Sequence, residues 1–144
     1  VHSFEPNPNN YECLVLNKVP NIFAHKLALG SATGRGFISN VSGHENSGSS
    51  EIIPTKKNNS IEVDIHPLDS FELSPSLIKI DVQGYEVEVL KGALKTIKRH
   101  RPIIIIELYT DGRLNQGIID LLEFDIGMVP KEVVSKDTIY GWDG

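Results

Sequence analysis

The sequence sets carboxylates at the ends of apolar runs. "LIKIDVQGYEVEVLKG" (residues 77–92) reads as a buried strand that stops at Asp81, turns through Gly84 and opens a helix with Glu86. "PIIIIEL" (102–108) carries Glu107 directly after four isoleucines, and "VHSFEP" (1–6) carries Glu5 at the end of an alternating run. A carboxylate leaving an apolar strand is costly unless a partner or a ligand uses it. Lys79 lies two residues before Asp81 and shares its strand face, so it either snorkels at an edge or pairs with a carboxylate. Such groups can take a proton from an acceptor or accept hydrogen bonds from hydroxyls. In nucleotide-binding α/β folds, an acid ending the second strand holds ribose hydroxyls, which is one reading of Glu5. Each residue also has a local reading: Glu5 caps the helix after "PNP", Asp81 and Glu86 serve the next helix N-terminus, and Gly84 permits a tight turn. Taken together with Glu107, the group is read as a site.

Other chemistries find little support. The five histidines, His2, His25, His44, His66 and His100, have no metal-ligand spacing to one another or to Cys13, so no metal site is expected. There is no G-x-S-x-G, no P-loop and no G-x-G-x-x-G. "GSATGRG" (30–36) reads as a turn, as does "PLD" (67–69).

The elements that must position these residues follow from periodicity. Residues 1–5 predict a short strand. Asn7 can cap a helix with Pro8 in its first turn and Tyr11, Leu14 and Val15 on one face. "NIFAHKLALG" predicts one strand closed by Gly30. Beyond Ile38 the chain to residue 60 is mostly loop composition, with "SGHENSGSS" and "KKNNS" flanking a short strand at "EIIP". Ile61, Val63 and Ile65 alternate in a half-buried strand that Pro67 stops. After "SLIKID", Val87, Leu90, Ala93, Leu94 and Ile97 form the stripe of one helix from Gly84 to His100, with basic residues in its last turns. "PIIIIEL" predicts a central strand covered on both faces. A shorter helix is expected near Leu114 to Leu122, and one or two strands after Asp125.

This is an α/β pattern with a mostly parallel sheet and flanking helices, expected as one domain over residues 1–144. Ligands in such folds sit beyond the carboxyl ends of the strands, here Glu5, Gly30, Asp81 and Glu107, which should converge on one rim. The net charge of -5 and pI near 5.5 exclude a basic nucleic-acid surface, so no nucleic acid partner is expected. The longest apolar run, Ile103 to Ile106, is far too short to span a bilayer, and no signal pattern opens the chain, so no membrane association is expected. One cysteine, Cys13, allows no internal disulfide and fits a reducing cytoplasm. The only methionine is Met128 and the chain opens mid-strand, which reads as a trimmed piece.

In order, "FEPNP", "LALGSATG", "PLDSF", "LIKIDVQGYEVEVLKGA" and "PIIIIEL" resemble FkbM-type methyltransferases over nearly the whole chain, with the "KIDVxGxExxVLxGA" block the specific part. The resemblance implies a Rossmann-like methyltransferase fold, S-adenosylmethionine as cofactor, and methyl transfer to an oxygen of a small-molecule acceptor such as a sugar or polyketide. By that resemblance Glu5 holds the cofactor ribose, Leu29 and Gly30 lie near its adenine, and Asp81 sits beside its methionine part and the acceptor. Lys79, Gly84 and Glu86 complete the motif, and Glu107 faces the acceptor. Gln83 stands where the family usually has Glu. The family's first strand and glycine-rich loop have no counterpart here and would precede Val1, so a central strand is expected to be missing, apolar edges exposed and this piece alone inactive.

The expected reaction is an in-line displacement at an activated methyl group, in which the protein mostly aligns reactants. An alcohol acceptor also needs proton removal, for which Asp81 or Glu107 could serve. A non-catalytic Rossmann-like binding module is the main alternative, and another nucleotide-using enzyme sharing the Glu5 logic is a third.

Overall fold

The structure, a computed structural model, describes residues 1–39, 51–108 and 112–143, without the side chains of 112–114. The "SGHENSGSS" segment lies outside the described residues. Strand β1 (His2–Phe4) leads into helix α1 (Pro8–Leu16), then β2 (Phe23–His25), β3 (Ala28–Leu29), β4 (Gly34–Ser39), β5 (Ile52–Ile53) and β6 (Ser60–His66). A 3₁₀ turn, Leu68–Phe71, precedes β7 (Leu77–Ile80), helices α2 (Glu86–Lys91) and α3 (Leu94–His100), and β8 (Ile103–Glu107). Helix α4 (Gly112–Ile119) continues into a π-helical stretch, Asp120–Ile126, and a hairpin of β9 (Val129–Val134) and β10 (Asp137–Gly141) follows.

The strands fall into three sheets among the described residues, ordered β1-β2, β3-β6-β4-β5 and β7-β8-β10-β9. The expected mostly parallel sheet is corrected. The β1-β2, β3-β6 and β7-β8 pairs are parallel, whereas β4-β5, β4-β6, β8-β10 and β9-β10 are antiparallel. The hairpin explains part of this. Ser135, at φ 61, lets β9 turn straight back into β10, and a short connection can join only antiparallel strands.

The main core lies on one face of β7, β8 and β10. There Ile80, Ile104, Ile106 and Tyr140 pack with Val89, Leu90, Ala93, Ile97, Ile118 and Leu122 of the helices. A smaller core of Ala28, Ile38, Val63 and Ile65 lies in the β3-β6-β4-β5 sheet.

Four further expectations are corrected. "NIFAHKLALG" is two strands in different sheets rather than one: β2 pairs with β1, and β3 pairs with β6. The second half of "GSATGRG" is strand β4, where Gly36 is buried and a Cβ would come within 2.8 Å of Ile65 Cδ1. The long helix is broken into α2 and α3 at Gly92 and Ala93. A Cβ on Gly92 would come within 1.9 Å of the Gly30 carbonyl oxygen, and Asp69 recaps the chain by accepting from the Lys95 and Thr96 amides at 3.1 and 2.8 Å. Finally, β8 is covered on one face only. Ile104 and Ile106 are fully buried, while Ile103 is 46% exposed. Helix α1 is capped as expected, with Asn7 accepting from the Asn9 amide at 3.0 Å, but it buries no residue and Val15 is exposed.

Candidate functional site

Between β1 and β7 lies a cleft of about 870 Å³, a size typical of small-molecule sites. One wall is residues 1–7 with Asn10, and the other is the run from Leu73 to Gln83. Leu68, Val89 and Ala93 from the core form an apolar floor, with Ala28, Leu29 and Ile52 also lining it.

Glu5 follows β1 because the strand ends where Pro6 removes an amide donor. Its own amide donates to the His25 carbonyl at 3.0 Å, and its Oε1 accepts from the Asn7 amide at 2.8 Å. The backbone thus fixes the carboxylate beside the cleft, and Oε2 makes no hydrogen bond among the described residues. The local role of Glu5 at the helix entrance and a ligand role coexist, since one oxygen serves each.

Asp81 leaves β7 beside the same cleft. Lys79 Nζ pairs with Asp81 Oδ2 at 3.3 Å and lies 3.7 Å from Asp137 Oδ2, so the paired alternative for Lys79 is the one observed. All three side chains are substantially exposed, so these pairs orient the groups more than they stabilise the fold. After Asp81 the chain turns sharply. Gln83 and Gly84 have φ of 36° and 85°, and the Gly84 amide donates to Glu86 Oε1 at 3.1 Å. Left-handed geometry suits the glycine at position 84 and strains Gln83. Glu86 is 3% exposed and ties the turn to the start of α2.

Of the residues proposed from sequence, Glu5, Leu29, Lys79 and Asp81 line the cleft; Gly30, Glu86 and Glu107 do not. Gly30 is buried beneath Ile65 and Tyr85, and its amide donates to the His66 carbonyl at 3.1 Å. Glu107 is mostly buried and sits 3.7 Å from Lys136 Nζ. In register it stands opposite Asp137 on β10. Sequence reasoning missed Asp137, because only the β8-β10 register brings it beside Lys79.

The rim behind the cleft carries shifted groups. Burial, and then the nearby Glu88 charge, pushes the Tyr85 phenol up. Hydrogen bonds from Lys91 and Ser31 hold Glu88 below the usual carboxylate range. Ser31 thereby ties the segment after β3 to helix α2. On the other wall, His2 and His25 share a hydrogen bond of 3.0 Å between Nδ1 and Nε2 in a stack with Phe23 and Phe4. Burial, and then the charge of His2, lowers the His25 pKa. Among the described residues no cluster of three or more His, Cys, Asp or Glu could hold a metal ion, and no helix is long and apolar enough to cross a membrane.

A family described as the methyltransferase FkbM domain matches residues 1–127. A crystal structure of methyltransferase FkbM from Methylobacillus flagellatus KT matches with a TM-score of 0.63 and 25% identity. The match covers 99% of this chain and 36% of that one, so the chain spans about a third of the length of that solved protein. A search of curated proteins finds no match.

Proposed function

Because the chain belongs to the methyltransferase FkbM domain family, we propose that its cleft serves an S-adenosylmethionine-dependent methyltransferase site acting on a hydroxyl of a sugar or other small metabolite. The single observation that carries this reading is the placement of Glu5 and Asp81, from separate strands, on one cleft. The residues suit the cofactor. Glu5 offers a backbone-fixed carboxylate with a free oxygen for a ribose diol, Leu29 and the apolar floor suit an adenine ring, and Asp81 offers negative charge to a sulfonium.

When bound, the cofactor would supply an activated methyl group. The chain's own residues would bind and orient. Glu5 would fix the ribose end. Asp81, held by Lys79, would stand at the reacting end and is the better placed of the two carboxylates to take the proton of an alcohol acceptor. Glu107, beside Lys136 and away from the cleft, would act through the rim rather than on the acceptor. Glu86 and Gly84 would hold the turn that aims Asp81.

The second reading, a non-catalytic Rossmann-like binding module, draws on the openness of the cleft. Among the residues lining it there is no glycine-rich loop to cradle the methionine end. Calorimetric titration with S-adenosylmethionine separates the two. The enzyme reading expects saturable binding by the full-length protein, weakened about tenfold or more in Glu5→Ala and Asp81→Ala, as loss of a charge-assisted hydrogen bond would give. No binding by the full-length protein would overturn it in favour of the module.

A further inference from the structure

The turn after Asp81 holds a residue that its backbone disfavours. The Tyr85 amide donates to the Val82 carbonyl at 3.1 Å, which closes a four-residue turn over Gln83 and Gly84. Both central residues have positive φ, 36° and 85°. That is the pattern of a type I′ turn, whose first central position favours Asn, Asp or Gly. Asn and Asp reach the left-handed region readily and bond the turn's own backbone. A glutamine there carries strain of about 1 kcal/mol or more. Its side-chain amide has no hydrogen-bond partner among the described residues, so no local bond offsets that strain. Gln83 also lines the cleft. A strained residue with an uncommitted amide on a cleft wall points to a ligand.

The neighbours of Gln83 define what its amide can read. On the β7 wall the other polar side chains at this end of the strand are Lys79 and Asp81. Lys79 is engaged by Asp81 and Asp137, at 3.3 and 3.7 Å. Ser74 and Ser76 precede β7 and stand at its other end. Gln83 therefore holds the uncommitted side-chain donor at the Asp81 end of this wall. An ionised carboxylate meets a hydroxyl but not an oxygen that bears only lone pairs, whereas an amide nitrogen donates to such an oxygen. One cation against two carboxylates leaves this rim negative, which disfavours an added anion. We propose that Gln83 selects the ligand of this end of the cleft: its Nε2 donates to a neutral carbonyl oxygen, of an ester, lactone or ketone, carried beside the hydroxyl that Asp81 accepts from. The ligand class is a hydroxylated carbonyl compound rather than a plain polyol. That this hydroxyl is the one methylated rests on the proposed function; the carbonyl site itself does not.

Nuclear magnetic resonance of the ¹⁵N-labelled full-length protein tests the proposal without cofactor. The probes are methyl glucoside and the methyl ester of methyl glucuronide, which differ only in a hydroxymethyl against an ester carbonyl. The side-chain NH₂ signal of Gln83, identified by its loss in Gln83→Glu, should shift saturably with the ester, and the ester should bind about five- to tenfold more tightly than the glucoside. Gln83→Glu keeps the shape but turns a donor into an acceptor, and it should abolish that preference. Gln83→Asn suits the turn better but is one methylene shorter. It should raise the thermal midpoint by about 2 °C and also lose the preference. A wild-type protein that binds both probes equally, or neither, would overturn the proposal. So would a preference that survives in both variants, because Gln83 would then be a turn residue alone. Adding S-adenosylmethionine afterwards separates the two readings. A preference for the ester together with no cofactor binding would leave the carbonyl site standing and remove the methyltransferase reading. Cofactor binding with no preference between the probes would do the reverse.

Discussion

The two walls of the cleft are built to different standards. The β7 wall is the edge of a sheet whose inner face carries Ile80, Ile104, Ile106 and Tyr140, each at most 2% exposed. The β1 wall is a two-stranded sheet with no buried residue, held by Phe4 against Phe71 and by the aromatic stack along His2, His25 and Phe23. Both walls carry a candidate site carboxylate. One carboxylate therefore rides on a rigid support, and the other rides on a segment whose stability depends on what joins it to the rest. The largest expected effect breaks this comparison directly. Ile106→Ala removes a fully buried side chain and should cost about 3–4 kcal/mol in urea unfolding. Phe23→Ala, at a side chain 61% exposed on the other wall, should change stability by about 0.5 kcal/mol or less. Equal losses would show that the two walls share one core.

Gly92→Ala probes a different junction, where α2 meets the β3-β6-β4-β5 sheet beneath the β7 wall. A Cβ there would meet the Gly30 carbonyl, so α2 and the segment after β3 must separate. The expected cost is about 2–3 kcal/mol, from overpacking against backbone that cannot rotate away. Asp69→Ala comes next. It removes both side-chain bonds to the first amides of α3 and should cost about 1 kcal/mol, the usual value of an N-cap. Asp69→Asn keeps an acceptor and should recover part of that loss.

How much of this was legible in the sequence divides along the same line. The strands at residues 60–66, 77–80 and 103–107 announced themselves through alternation or isoleucine runs, because local pattern and tertiary burial agree there. The break of the helix at Gly92 did not, because it depends on Gly30, a contact 62 residues away in the chain. The split of "NIFAHKLALG" was hidden for a similar reason: its halves pair with different partners, β1 and β6. At the site, Glu5 and Asp81 were readable as strand-end acids. Their separation from Glu107 was not, since that follows from Lys136 and Asp137 on a hairpin whose register no local pattern sets.

The smallest effect sharpens the comparison from the weaker side. His25 accepts or donates the 3.0 Å bond to His2 and stacks on Phe4, and its pKa is lowered by burial and by the charge of His2. In the unfolded chain it returns to the ordinary value of 6.5. Above that pH both states hold it neutral, and the contribution of the pair is complete. As pH falls through 6.5 the unfolded chain takes up a proton that the folded chain resists, so stability declines until the folded pKa is passed. Unfolding midpoints measured between pH 7.5 and 5 should therefore drift downward with acid, and His25→Phe, which keeps the stack without the titration, should flatten that drift. Because β1 and β2 form a separate sheet, the acid effect should appear first in the amides of Ser3 and His25 and leave those of Ile104 and Ile106 protected. A drift shared equally by β8 would mean that the two walls unfold as one unit, and Glu5 would then stand on as firm a support as Asp81.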